Sequence, residues 1–141
     1  MSDATLTTTA GLVEAFRAGL ADGELLIQRC KACGNPQMYP RYRCTKCWSD
    51  DLGYVKAAGA GTLHSYTVIR AVPPRGFEDD VPYAVGVVKL DEGVQLLGRL
   101  WPSEESGDWD VYACDMRVTF APADPEEIGR RPVAWFRPPA S

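Results

Sequence analysis

The stretch CKACGNPQMYPRYRCTKC, residues 30–47, decides how this chain folds. It holds two Cys-x-x-Cys pairs, Cys30 with Cys33 and Cys44 with Cys47, separated by ten residues. Each pair can grip one metal ion from a tight turn, and a hairpin between the pairs brings the turns face to face as a tetrahedral thiolate site. The reading is a small zinc ribbon. Iron accepts the same four sulfurs, and zinc is expected ahead of iron on ligand preference.

Working outward, residues 24–29 (ELLIQR) predict a short strand entering the first knuckle, and Gly34 after Cys33 suits a turn that points backbone amides at sulfur. Residues 37–40 are expected to form the hairpin leading to the second knuckle. Trp48 stands after Cys47, where a glycine would be at home. Residues 54–58 then leave the ribbon, and Gly59-Ala60-Gly61 is a bend. Upstream, residues 1–8 are polar and Thr-rich and are expected to be a frayed leader. From Thr9 the apolar positions Leu12, Val13, Phe16 and Leu20 fall on one helical face, with Gly19 or Gly23 available as a stop. That face can be buried against the chain's own barrel or against a partner subunit. The expected organisation is a leader and helix over 1–23, a ribbon over 24–58 and a β domain over 59–141.

The third segment is β-rich. Residues 62–69 (TLHSYTVI), 83–90 (YAVGVVKL), 94–100 (VQLLGRL), 116–121 (MRVTFA) and 133–137 (VAWFR) predict five strands, the second and third joined by the turn Asp91-Glu92-Gly93. Five antiparallel strands close most economically as a Greek-key barrel of the oligonucleotide/oligosaccharide-binding (OB) type. The predicted fold class is therefore mainly β, with an N-terminal helix, a zinc ribbon and a five-stranded OB barrel. Residues 102–113, with Pro102, Gly107 and four acids, leave little room for a helix between the third and fourth strands. Residues 70–82 (RAVPPRGFEDDVP) carry three prolines and make a connection longer than a hairpin needs. Arg75 and Phe77 are its candidates for contact with a partner or an acyl chain. The alternative tucks Phe77 onto the barrel.

Composition narrows the function. No run approaches the ~20 apolar residues of a bilayer span, and cysteines at metal spacing with no basic-then-apolar segment before Cys30 lead to the expectation of a cytoplasmic protein. Formal net charge is −4, yet between Glu24 and Asp50 there are five cations, Arg29, Lys31, Arg41, Arg43 and Lys46, and no carboxylate. The ribbon is the basic pole. Two readings of this charge stay open: it balances a metal–thiolate cluster, or it forms an anion site that steers a phosphorylated ligand.

The order helix, C-x-x-C-G, C-x-x-C, G-x-G and five-strand barrel resembles the family of rubredoxin-like zinc ribbons joined to an acyl-CoA-associated OB-fold, once catalogued as a domain of unknown function. The resemblance runs over residues 12–138 through FRAGLADGELLIQRCKACG, YPRYRCTKC, AGAGTLHSYTVI, DDVPYAVGVVKLDEGVQLLGRL and PVAWFRP. It implies a non-catalytic accessory subunit of a thiolase-fold enzyme, a thiolase or a retro-aldolase such as those of steroid side-chain degradation. That subunit would stabilise its partner and help form the passage for a coenzyme A ester. The alternative is a nucleic-acid-binding ribbon and barrel, against which stand an acidic pI near 5.0 and aliphatic rather than stacking residues on the second and third strands.

Within that expectation, guanidinium forks next to aromatics suit the phosphates and purine of coenzyme A. Arg41, Arg43 and Lys46 are the candidate phosphate ligands, with Tyr42 and Trp48 beside them. Tyr39, Tyr42 and Trp48 also fit a miniature hydrophobic cluster for the ribbon, which is the preferred reading of those rings. His64 is expected to be an ordinary strand residue and Cys114 a buried apolar thiol. The pairs Asp79-Asp80, Glu104-Glu105 and Glu126-Glu127 are expected to be solvated charge in turns. No nucleophile–base pair is evident for an independent acyl-transfer enzyme.

Overall fold

The computed structural model describes residues 9–139, with side chains from Val13 onward. The expected leader at 1–8 and the side chain of Leu12 lie outside them. Helix α1 spans Thr9–Ala21. Phe16 and Leu20 are buried in the common core while Val13 is half-buried. The helix face is therefore covered by its own chain, and a Cβ at Gly19 would come within 2.8 Å of the Leu26 side chain.

The ribbon is a three-stranded sheet in the order β2-β1-β3, built from β1 (Leu26–Cys30), β2 (Pro36–Gln37) and β3 (Leu52–Lys56). Residues expected to lead out of the ribbon instead form β3, which pairs antiparallel with the whole of β1, from Leu26 opposite Lys56 to Cys30 opposite Leu52. The reason is backbone satisfaction: β1 donates on both edges, and two-residue β2 alone would leave one edge unpaired. The bend that follows lies at Gly59 (φ +88°), and Ala60 and Gly61 already belong to the next strand.

Strands β4 (Ala60–Ile69), β5 (Tyr83–Leu90), β6 (Gln95–Leu100), β7 (Arg117–Phe120) and β8 (Ala134–Arg137) close a barrel in the order β4-β5-β6-β8-β7. The five predicted strands and the 91–93 turn are all present. Closure comes from antiparallel pairing of β4 with β7 and parallel pairing of β6 with β8. Alternation sends Ala84, Val88 and Leu90 of β5 inward with Leu96 and Leu100 of β6, against Leu63, Val118 and Phe136. Gly98 permits the crossing, since a Cβ there would stand 2.8 Å from the Phe136 ring.

Residues 102–113 form turns without a helix, pinned across the barrel by Trp109 Nε1–H to the Leu100 carbonyl and Tyr112 Oη–H to the Trp101 carbonyl, both 2.7 Å. A helix does form where charged turn was expected. Helix α2 (Pro125–Arg130) connects β7 to β8, with Asp124 as N-cap accepting from the Glu127 amide and Pro125 in the first turn. Ile128 anchors it in the core.

Candidate metal centre and its surroundings

The two knuckles are built alike, which follows from their matching sequence positions. In the first, Gly34 N–H donates to the Cys30 carbonyl (2.9 Å) and Cys30 N–H to that of Asn35 (2.9 Å). In the second, Trp48 N–H donates to Cys44 (3.0 Å) and Cys44 N–H to Ser49 (2.8 Å). The fourth position after each leading cysteine must turn left-handed, with φ +82° at Gly34 and φ +67° at Trp48. Even the preceding arginines correspond: Arg29 Nε reaches the Gly34 carbonyl and Arg43 Nη1 the Trp48 carbonyl, at 3.2 and 3.1 Å.

This duplication brings four sulfurs together, all within 4.8 Å of one another. Cys30 Sγ lies 3.5 Å from Cys47 Sγ, and Cys33 Sγ 3.6 Å from Cys44 Sγ. A tetrahedral ion with metal–sulfur bonds of about 2.3 Å requires sulfurs about 3.8 Å apart, so the set fits a tetrathiolate metal. Amides from Cys33, Lys46 and Cys47 point at sulfur. Donation from the Cys47 amide, opposed by burial and reinforced by Lys46, draws the Cys44 thiol down to about 6. Cys47 has an amide donor in Ser49, yet burial and the other three sulfurs push it up to about 12. Crowded thiols that divide their protons this unevenly are relieved when one cation replaces them.

A pair of buried glutamines sets the second knuckle against the first strand. Gln28 accepts from the Arg41 amide (2.8 Å) and donates to the Arg41 carbonyl (2.9 Å). Gln37 donates to Gln28 and to the Arg43 carbonyl, and accepts from the Thr45 amide. Segment 41–45 is thereby held at both ends by buried side-chain amides, and sequence reasoning passed over both residues.

The basic pole is a surface feature, with Arg29, Lys31, Arg41, Arg43 and Lys46 all exposed. Arg43 is occupied with its own knuckle, whereas the side chains of Arg41 and Lys46 make no hydrogen bond or ion pair among the described residues. The expected aromatic cluster does not form. Tyr42 and Trp48 are exposed, at 48% and 72%, because the glutamines and sulfurs already fill the space between the knuckles. Tyr39 instead turns towards the barrel: its ring packs edge-on to Phe16, and its Oη accepts from the Leu97 amide at 2.7 Å.

On the barrel, Phe77 is half-buried and stacks on Tyr83 at 6.0 Å, with the Arg131 guanidinium 4.0 Å above it, while Arg75 is exposed. Asp80 is no solvated turn charge. Its side chain is 3% exposed and receives Arg99 (2.8 Å), Arg130 (2.9 Å) and Arg131 (3.2 Å), which hold its carboxyl down at about 2. The cluster borders a cleft of about 610 Å³ walled by Tyr83, Arg99, Trp101, Trp109 and Trp135. The indole N–H of Trp135 is buried with no hydrogen-bond partner among the described residues. His64 sits exposed at a β-bulge, so its strand placement holds. Cys114 is exposed, contrary to expectation, because it lies in the turn before β7 rather than on an inward strand position.

Fold and site define a two-module protein, a tetracysteine ribbon carried on an OB barrel. Residues 17–53 match the ChsH2 rubredoxin-like zinc ribbon domain and residues 54–123 the ChsH2 C-terminal OB-fold domain. A solved structure described as "Ltp2-ChsH2(DUF35) aldolase" contains a chain 31% identical, aligned over 89% of this chain and 93% of that one with a TM-score of 0.68. The chain belongs to this ChsH2 (DUF35) family. It is also similar to a probable enoyl-CoA hydratase alpha subunit of Thermomonospora curvata, 42% identical over 54% of this chain and 23% of that protein. A DUF35 domain-containing scaffold protein of Methanocaldococcus jannaschii is 33% identical over 54% of each. The chain thus spans about half the length of the scaffold protein and under a quarter of the hydratase subunit. Among the described residues no helix is long and apolar enough to cross a membrane.

Proposed function

We propose that this chain is a non-catalytic accessory subunit of a thiolase-fold enzyme, a thiolase or a retro-aldolase, that acts on acyl-CoA thioesters, steroid-derived ones among the candidates. The reading is carried by the likeness to a chain of the Ltp2-ChsH2(DUF35) aldolase, which covers nearly all of both chains. The hydratase-subunit and scaffold names of the relatives point the same way. Zinc is the ion assigned to Cys30, Cys33, Cys44 and Cys47, whose all-sulfur set closes the coordination sphere and leaves a structural role. Arg41 and Lys46, with Arg43 beside them, are assigned to the phosphates of coenzyme A, and the aromatic cleft beside Arg99 to the ester's passage.

Co-expression with thiolase-fold acyl-CoA enzymes encoded near it tests the assignment. One of them should co-purify with this chain, and CoA-thioester turnover should require both polypeptides. Paired Arg41→Glu and Lys46→Glu substitutions should raise the apparent KM for the ester while leaving the metal content unchanged. Turnover by the solitary chain, or failure of every such enzyme to bind, would overturn the reading. Exposed Tyr42 and Trp48 beside Arg41 favour single-stranded nucleic acid as a second reading. That binding would appear with an oligonucleotide at low salt and weaken steeply as salt rises.

A further inference from the structure

The connection between β4 and β5 is rigid at its base and bare at its tip. At the base, Asp80 takes three guanidinium groups, Phe77 is clamped between Tyr83 and Arg131, and Arg131 Nη2 donates to the Gly76 carbonyl at 2.5 Å. Short turns, Phe77 N–H to Pro74 and Asp80 N–H to Phe77, both 3.0 Å, stiffen the stretch between. At the tip, Val72 is 95% exposed at φ +52°. A β-branched residue ahead of a proline strongly disfavours that left-handed conformation, and the isolated chain gains no packing from it. Ala71, Val72, Pro73 and Pro74 form an apolar run bracketed by Arg70 and Arg75. Arg70 is paired with Asp108, while Arg75 makes no ion pair among the described residues. The acids of this loop, Glu78, Asp79 and Asp80, all lie on the far side of Gly76.

We propose that Val72 is a preorganised wedge that inserts into an apolar socket on the enzyme subunit, and that Arg75 meets a carboxylate at the socket's rim. The inference rests on the accessory-subunit reading and names the element of this chain that does the docking. A fixed loop presenting one strained apolar side chain has little left to lose on binding, which is the condition under which a single residue carries much of an interface. The charge pattern selects the occupant. A lipid surface would have to accept one valine and one free arginine beside the exposed acids Glu78 and Asp79 on a chain of net charge −4, whereas a protein socket can match an apolar centre with an acidic edge.

The experiment measures affinity for the co-purifying acyl-CoA enzyme by titration of the full chain and its variants, with melting of each free chain alongside. Val72→Asp should weaken binding about tenfold or more, and Arg75→Glu severalfold with reduced salt dependence. Val72→Gly separates docking from folding: it relieves the left-handed backbone, so the free chain should melt no lower than wild type while its affinity still falls. Unchanged affinity in Val72→Asp, with wild type bound, overturns the wedge alone. If wild type binds no such enzyme, the accessory-subunit reading falls and the wedge with it. Val72-dependent sedimentation with phosphatidylcholine–phosphatidylserine vesicles, or Val72-dependent dimerisation in light scattering, would replace the enzyme socket with a lipid surface or a second copy and overturn the proposal.

Discussion

Replacing Asp80 with asparagine tests whether the buried carboxylate holds the mouth of the barrel together. Three guanidinium groups hold its pKa at about 2, against about 3.9 for an aspartate in an unfolded chain. Two units of depression correspond to about 2.5 kcal/mol of stability at neutral pH. The side chain is 3% exposed and Arg99 6%, so solvent screens little of this. Asp80→Asn removes that contribution and leaves the Arg99 guanidinium buried without its counterion, for a total loss of about 3 kcal/mol. At about 3 °C per kcal/mol for a chain of this size, the melting temperature should fall by about 9 °C. The pH dependence identifies the cause. Because the folded-state pKa is the lower one, the unfolded chain binds the proton first. Stability from Asp80 is therefore complete above about pH 5 and drains away as pH falls through 3.9 towards 2. Melting followed by tryptophan fluorescence, which reports on Trp101, Trp109 and Trp135 in the barrel, should show a constant gap between wild type and variant from pH 8 to about pH 5. The gap should then close by about 2.5 kcal/mol in acid. Metal loss in acid strikes both proteins alike and drops out of the comparison. A gap that keeps its full size at low pH, or a variant as stable as wild type at neutral pH, would refute the reasoning.

Cys44→Ser should abolish stoichiometric metal in elemental analysis and raise hydrogen exchange across β1–β3, since a ribbon with so little apolar core draws its stability from metal binding, worth about 10 kcal/mol or more; the barrel strands should keep their protection. Trp48→Gly replaces a bulky residue at φ +67° with one that adopts it freely, and should stabilise the ribbon by about 1 kcal/mol, seen as slower metal release to a chelator.

Where sequence reasoning failed, the missing partner came from far along the chain. Asp80 looked like half of a solvated pair because the arginines that bury it stand 19, 50 and 51 positions away. Tyr39 looked like ribbon filling because the amide it accepts from belongs to Leu97, 58 residues on. Helix α2 is the exception, since its Asp124-Pro125-Glu126-Glu127 start signal is local, although paired acids read by themselves as turn charge. Gln28 and Gln37 carry no spacing signal, for an amide announces its role only through the carbonyls it faces.

The chain's own order of residues determined the ribbon and the barrel strands. Cys-x-x-Cys turns close over a few bonds, and inward–outward alternation is a property of each strand alone. Tertiary structure decided the rest: that β3 completes the ribbon sheet, that α1 is buried on its own chain, that Arg43 serves its knuckle while Arg41 stays free, and that Val72 stands bare on an anchored loop. Each of these depends on burial and charge pairing between segments distant in sequence, and those quantities take values only once the chain has closed on itself.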